Sequence, residues 1–305
     1  MLFIIFLITG KLTHIDVELE RDMLYHKKIH QRWWPTISEV NFNSKALTYE
    51  NNALVQKSAS EILLDLLSIQ PGEDVLDLGC GPGNITKKIA QITEGTVMGV
   101  DVSQGMIEQA ISSNQDLRNL RYSVMNAEDL ELPSKFDVIV CNSSFQWFQK
   151  PAQALNRCFN TLKHGGRIGV QAPATQLYCP NFVAAIEKIR VHPHTQDVFK
   201  CFKSPWFFLE SKEEYERFFR SRGFHVTSNE FVDESNHFSP DQAFKVFQSG
   251  AENGYLNQSF YTAALTDDYI NTFRELVKES FKEQSDNSGM IDLKFKRIYL
   301  IAKKQ

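Results

Sequence analysis

At 305 residues, with 42% hydrophobic and 23% charged side chains and a formal net charge of -4, the chain carries enough apolar content for one large domain or a domain with a cap. Lys and Arg are scattered without a basic run, which argues against nucleic acid as a partner. Five cysteines, at 80, 141, 158, 179 and 201, show neither CxxC spacing nor a histidine at zinc-ligand spacing, so no metal is expected and a reduced, cytoplasmic setting is favoured.

The chain opens on an apolar run from Met1 to Thr9, far short of the ~20 residues of a membrane span. No basic residue precedes it and it passes into Lys11 and His14 rather than a small-residue cleavage site. It reads as a packing extension with no stable membrane insertion, or as an early start with Met23 as the alternative. Asp16 to Lys28 is charged and helical in pattern, and Trp33-Trp34-Pro35 breaks it. Residues 1–45 therefore form an N-terminal extension. From Asn51 to Leu67, apolar Leu54, Val55, Ala59, Ile62, Leu63 and Leu66 recur at helical spacing, with Gln56 as a polar side chain in that helix.

Val75, Leu76 and Leu78 then form a short apolar run suited to a buried parallel strand, interrupted by Asp77 and followed by Gly79, Gly81 and Gly83. A helix starts at Asn84. Three alternating glycines let the backbone turn sharply and approach a bound group. The spacing is GxGxG, whereas the dinucleotide fingerprint sets its third glycine one residue later and aims phosphates at the helix N-terminus. A carboxylate at Asp77 repels a pyrophosphate and suits a cation such as the ammonium of an amino acid. Asp101 ends the next apolar run, where an acid accepts hydrogen bonds from ribose hydroxyls. A nucleoside with a positively charged tail is implied.

Short apolar runs alternate with helical patterns through residue 172, the signature of parallel βαβ units. The predicted strands are 73–78, 96–101, 120–125, 136–141 and 167–172, with helices beginning near Asn84, Gln104 and Pro151. Lys163-His164-Gly165-Gly166 reads as the glycine stop of the last helix, with His164 in a capping role. Beyond Pro173 the pattern turns aromatic: a short helix over 182–189, then Phe199, Phe202, Trp206, Phe207 and Phe208, then an amphipathic helix over 213–222. A strand is predicted at 223–232, helices through 240–283, and an alternating strand at 293–302. The aromatic stretch is read as a lid or as simple core packing.

The glycine stretch and Asp101 resemble the first two motifs of the class I S-adenosylmethionine-dependent methyltransferases. That resemblance implies an α/β, Rossmann-like seven-stranded sheet, mostly parallel with its last strand antiparallel, and a helical cap. Residues 46–175 would be the S-adenosylmethionine-binding core and 176–305 the substrate cap plus the last strands of the core sheet. Asp77, Gly79, Gly81 and Gly83 would hold the amino-acid part and Asp101 with Val102 the ribose region. Met106 and the segment Asn126, Ala127 and Glu128 would flank adenine, although family members commonly carry Asp at 126. Asn142 would lie near the reactive end.

Gln56, Phe145-Gln146-Trp147 and the ending Phe295 to Ala302 further resemble the small-molecule carboxyl methyltransferases, among them those of juvenile hormone acid, trans-aconitate and malonyl-acyl-carrier protein. The likeness covers residues 46 to 303, and its substrate-side motifs are shared with enzymes that methylate carbon, nitrogen or other oxygens. It implies that Gln56 and Trp147 position a carboxylate through an amide and an indole N–H. A carboxylate, with its ordinary pKa near 4, arrives ionised and needs no base. A phenol, amine or carbon acid of a quinone, sterol or natural product would need one, and His192, His194, His225 and His237 are the imidazoles available. The remaining alternative is a module that binds the cofactor without turnover.

Overall fold

The computed structural model describes residues 54–114 and 116–305. The N-terminal extension, its apolar run, the charged stretch at 16–28 and the break at Trp33-Trp34-Pro35 lie outside the described residues, as does the side chain of Gln56.

Seven strands form one sheet: β1 (Val75–Leu78), β2 (Val97–Asp101), β3 (Leu120–Val124), β4 (Phe136–Asn142), β5 (Leu162–Pro173), β6 (Phe224–Phe238) and β7 (Ile291–Lys304). Their spatial order is β3-β2-β1-β4-β5-β7-β6. The first five run parallel, and β7 enters antiparallel between β5 and β6. The parallel units are those the alternating pattern predicts, and the whole is the Rossmann-like seven-stranded sheet that the resemblance implies. The order reverses beside β1, and in such sheets ligands bind outside the carboxyl ends of the strands at that switch point.

Helices cover both faces. α1 (Leu54–Leu67), α2 (Asn84–Ile92), α3 (Gln104–Ser113) and α4 (Pro151–Thr161) belong to the parallel half. On one face Leu63 and Leu67 pack with Val75, Val97, Val138, Val140 and Tyr299; on the other Leu76, Leu78, Val100 and Ile139 meet Ala154, Leu155 and Phe219. The buried face of α1 is Ala59, Leu63, Leu64 and Leu67, whereas Ile62 and Leu66 are exposed. The inward stripe therefore runs through 59, 63 and 67, and Ile62 and Leu66, each one position before a stripe residue, turn out of it.

Two ends of strands depart from expectation. α4 stops at Thr161, where the Leu162 N–H caps the Cys158 carbonyl, and β5 begins at once instead of after a glycine stop. Residues 163–166 form an irregularity between the Phe136↔Leu162 and Val138↔Arg167 pairs, so His164 stands exposed and caps no helix. Lys163 in that irregularity bonds both Asp74 and Asp137 at 2.8 Å, which satisfies the stretch without a helix end. The β6–β7 ribbon also outruns its predicted length. Pairing continues past Pro173↔Arg297, the last β5–β7 pair, to Phe238↔Ile291.

That extension carries the second half of the molecule. α5 (Pro180–Val191), α6 (Gln196–Phe199), α7 (Lys212–Arg220), α8 (Pro240–Ser249), α9 (Glu252–Tyr255) and α10 (Asp267–Glu283) follow β5. Except for α7, which packs Tyr215 and Phe219 on the sheet, they gather a separate core of Phe182, Phe244, Phe247, Phe273 and Phe281. Ile291, Leu293 and Phe295 enter it from the overhanging part of β7. Of the aromatic stretch, Phe199 is buried and Phe202, Trp206, Phe207 and Phe208 are half-buried. Among the described residues no helix is long and apolar enough to cross a membrane.

Candidate active site

The chain leaves β1 by crossing onto its neighbour. The Gly79 and Cys80 N–H groups donate to the Val100 carbonyl at 2.8 and 3.0 Å, and Gly83 N–H returns to the Cys80 carbonyl at 3.1 Å. All three glycines hold left-handed backbone, with φ of 75°, 54° and 84°. A side chain is barred for different reasons. A Cβ on Gly79 would stand 2.4 Å from the Ser144 Cβ, and one on Gly83 2.4 Å from the Tyr122 hydroxyl. Around Gly81 nothing lies within 4 Å of that position. The outer two glycines serve close packing, and the middle one faces open space.

Asp101, the last residue of β2, braces this turn. Its Oδ2 accepts from the Gly81 N–H and its Oδ1 from the Ser103 N–H, both at 2.9 Å. Burial nevertheless pushes its carboxyl above the ordinary value, against the lowering by those N–H donors. Asp77 lies deeper. It is fully buried, its Oδ2 accepts from the Thr86 hydroxyl at 2.7 Å, and burial followed by the neighbouring Asp101 charge raises its pKa to about 7, with the Thr86 hydroxyl opposing. Neither carboxylate pairs with a basic side chain among the described residues. A fully buried acid and a half-buried one thus stand at the glycine turn, neither with a basic partner among the described residues.

Ser103 caps α3 by accepting from the Met106 N–H; Met106 is buried and Val102 is 47% exposed. Asn126 turns its side chain back on its own backbone, accepting from the Glu128 N–H at 2.9 Å to cap the turn Ala127–Asp129. Ala127 is buried beside it. The Glu128 carboxylate accepts from the Lys150 N–H at 2.8 Å and so is directed at the start of α4. At the carboxyl end of β4, Asn142 is buried, and Ser143 holds φ 55° in the left-handed region. The Ser144 hydroxyl donates to the Leu78 carbonyl at 2.7 Å, locking this turn against the one after β1. Gln146 donates from Nε2 to the Ser143 carbonyl at 2.9 Å, and its buried Oε1 has no partner. Trp147 meets Trp206 of the second half edge to face, with ring centroids 5.6 Å apart.

The structure thus gathers Asp77, Gly79, Gly81, Gly83, Asp101 and Asn142 at neighbouring strand ends. Thr86, Ser103, Tyr122 and Ser144 complete the cradle and were not singled out in the sequence. Thr86 had a signal, as the buried-face residue of α2 nearest the acid; the others are fixed by contacts distant in sequence. Among the described residues the four candidate histidines stand away from this cradle: His192 is half-buried and His194, His225 and His237 are exposed.

The glycine cradle, the acid closing the second strand and the buried Asp77 thus come together at the switch point of a doubly wound sheet. Comparison with known proteins gives that arrangement a family. Residues 75–166 match the Methyltransferase domain family. Malonyl-acyl-carrier-protein O-methyltransferase of Acetivibrio thermocellus is 32% identical over 133 residues, 43% of this chain and 47% of that protein. Trans-aconitate 2-methyltransferase of Deinococcus radiodurans is 36% identical over 110 residues, 36% of this chain and 41% of that one. The chain spans about half the length of the curated relatives it matches. Among solved structures, the YcgJ protein of Bacillus subtilis superposes with a TM-score of 0.54 at 18% identity, over 82% of this chain and 99% of that one. The cyclase SpnF gives 0.51 at 17%, over 81% and 80%. The match over residues 75–166 is to a methyltransferase domain, and it falls on a Rossmann-like sheet; together they imply S-adenosylmethionine as cofactor. The open space at Gly81 and the unpaired Asp77 and Asp101 fit that cation.

Proposed function

We propose that this protein methylates a carboxylate oxygen of a small organic acid. The observation that carries the cofactor half is the Gly81 cradle closed by Asp101, beside an acid with no basic partner. Gly79, Gly81, Gly83 and Asp77 would hold the amino-acid part and Asp101 the ribose. Val102, Met106, Asn126 and Ala127 would border adenine, with Glu128 acting through its backbone, since its carboxylate is spent on α4.

S-adenosylmethionine supplies an electrophilic methyl on a sulfonium. The chain's own residues have to align an oxygen with that methyl and keep water out. A carboxylate suits a site to whose strand ends none of the described imidazoles is brought, because it is ionised without a base. Gln56 and Trp147 would position it, and the names of the two curated relatives support the same acceptor class. Residues 46–175 would then be the cofactor core and 176–305 the acceptor cap with the last strands, in a cytoplasmic setting.

The test is incubation with methyl-labelled cofactor against panels of organic acids and phenols. A carboxyl product releases volatile labelled methanol in mild alkali. Labelled product stable to alkali would move the acceptor to phenol, amine or carbon, and cofactor binding without product across a metabolite extract would leave a binding module.

A further inference from the structure

The turn after β4 is held from two sides, and only one belongs to the cofactor cradle. On the near side the Ser144 hydroxyl bonds Leu78, and Gly79 leaves no room for a Cβ against Ser144. On the far side Ser143 is tied to β5: its N–H donates to the Gln171 carbonyl at 2.8 Å, and its hydroxyl lies 2.9 Å from the end of the Gln171 side chain. Gln171 is fully buried. The amide orientation that satisfies its neighbours has the nitrogen donating to the Ser143 hydroxyl at 2.9 Å and to Asn142 Oδ1 at 3.1 Å. The amide oxygen then accepts from Arg297 Nη1 at 3.1 Å.

Arg297 is itself buried, in β7 opposite Pro173, the last residue of β5. Its Nε donates to Glu234 Oε2 at 2.8 Å, and Tyr299 donates its hydroxyl to the other Glu234 oxygen at 2.9 Å. An unbroken chain of polar contacts therefore runs from the β6–β7 ribbon, through Glu234, Arg297 and Gln171, to Asn142 and Ser143. Its far end is a non-glycine residue in left-handed backbone, a strained conformation that persists only where the surroundings hold it. Isolated buried ion pairs contribute little stability over apolar packing, so one spent beside a strained turn calls for another role.

We propose that Gln171, fixed by the Arg297–Glu234 pair, is a positioning residue that holds Ser143 left-handed and aims Asn142, so that the ribbon carrying the second half sets the geometry of the cofactor cradle. This rests on the methyltransferase reading for its consequence, though not for its mechanics. Removing the amide lets Ser143 relax, and Ser144 then shifts against Gly79.

The experiment is a double-mutant cycle on cofactor affinity, with Gln171→Leu and Ser143→Gly, measured by calorimetry on the full chain. Gln171→Leu is expected to weaken S-adenosylmethionine about tenfold in the wild-type background. In the Ser143→Gly background, where glycine takes that backbone without an anchor, the same change should cost less than threefold. Equal weakening in both backgrounds overturns the proposal, as does no weakening in either. Amide hydrogen exchange of the ligand-free protein supplies the independent arm. Residues 143–147 should exchange at least tenfold faster in Gln171→Leu while β1 and β2 keep wild-type protection. A uniform rise across the sheet would mark a merely structural residue and also overturn it. If wild type binds no cofactor, the methyltransferase reading fails while the exchange arm still decides the positioning role.

Discussion

The two halves of the molecule are built on opposite logics. In the parallel half, one short stretch of chain builds the proposed cradle with backbone: three left-handed glycines, a helix cap and two acids at adjoining strands, all within residues 77–103. In the second half no such local device exists. Its core is assembled from aromatic rings contributed by α5, α8, α10 and the overhanging ribbon, with Phe182 and Phe295 at its two ends in the sequence. A chemistry read by backbone leaves its mark on neighbouring residues and can be matched across distant relatives. A pocket read by side-chain packing need only conserve volume and apolarity, so it drifts. The family match covers residues 75–166, all within the parallel half.

The sharpest way to break the contrast is at Gly79. Gly79→Ala places a methyl 2.4 Å from the Ser144 Cβ on backbone with φ 75°, so strain and clash add. Cofactor binding should disappear in calorimetry and thermal stability should fall by more than about 2 kcal/mol. Gly165→Ala is the control: it shares the left-handed backbone, with φ 79°, but meets nothing within 4 Å. It should cost only about 1 kcal/mol and leave the cofactor untouched. Equal effects at the two glycines would mean that backbone conformation alone, and not the cradle, limits position 79.

Asp101→Ala comes next. It removes both the brace on Gly81 and Ser103 and the acceptor for a ribose hydroxyl. Hydrogen bonds to a charged group are each worth about 1.5–3 kcal/mol, so affinity should drop ~100-fold. Unchanged affinity would detach the acid from the ligand and leave it a loop brace.

These two acids mark the boundary of what the sequence made legible. The parallel strands, the cradle and the acid closing β2 follow from local patterns: apolar run, glycines, helix start. The buried depth of Asp77, the diversion of Glu128 to α4 and the Gln171–Arg297–Glu234 chain do not, because each depends on a partner on another strand or helix. The same holds for α1, where the choice between Ile62 or Leu66 and Leu67 as buried residues is made by the sheet surface and not by the helix period. The length of the β6–β7 ribbon escaped for a related reason: residues 233–237 alternate without a strong apolar face, and they pair because β7 overhangs into the aromatic core.

Asp77 gives a pH test of intermediate size. Burial first, then the Asp101 charge, raises its pKa to about 7 from an ordinary 3.8. Between those values the unfolded chain's carboxyl is ionised while the folded one holds its proton, so ligand-free stability falls as pH rises from 4 towards 7. A cationic ligand favours the ionised form. Affinity for S-adenosylmethionine should therefore rise up to tenfold per pH unit below 7 and level off above it. Asp77→Asn should bind weakly at every pH with that slope abolished. A wild-type affinity flat from pH 5.5 to 8 would show that the ammonium is held elsewhere.

The smallest expected effect sharpens the comparison from the other side. Phe247 is fully buried in the second core, stacked on Tyr255 with ring planes 9° apart and edge-on to Phe182. Phe247→Leu keeps most of the volume and removes the ring geometry, which should cost about 1–1.5 kcal/mol in chemical denaturation. If the two halves divide labour as their construction suggests, cofactor affinity should stay within twofold of wild type, while the Michaelis constant for a methyl acceptor rises several-fold through the contacts of Tyr255 with Trp206 and of Trp206 with Trp147. A loss of cofactor affinity matching the loss of acceptor affinity would mean that the aromatic core acts on the cradle itself. The backbone-read and packing-read halves would then be one energetic unit joined through the ribbon.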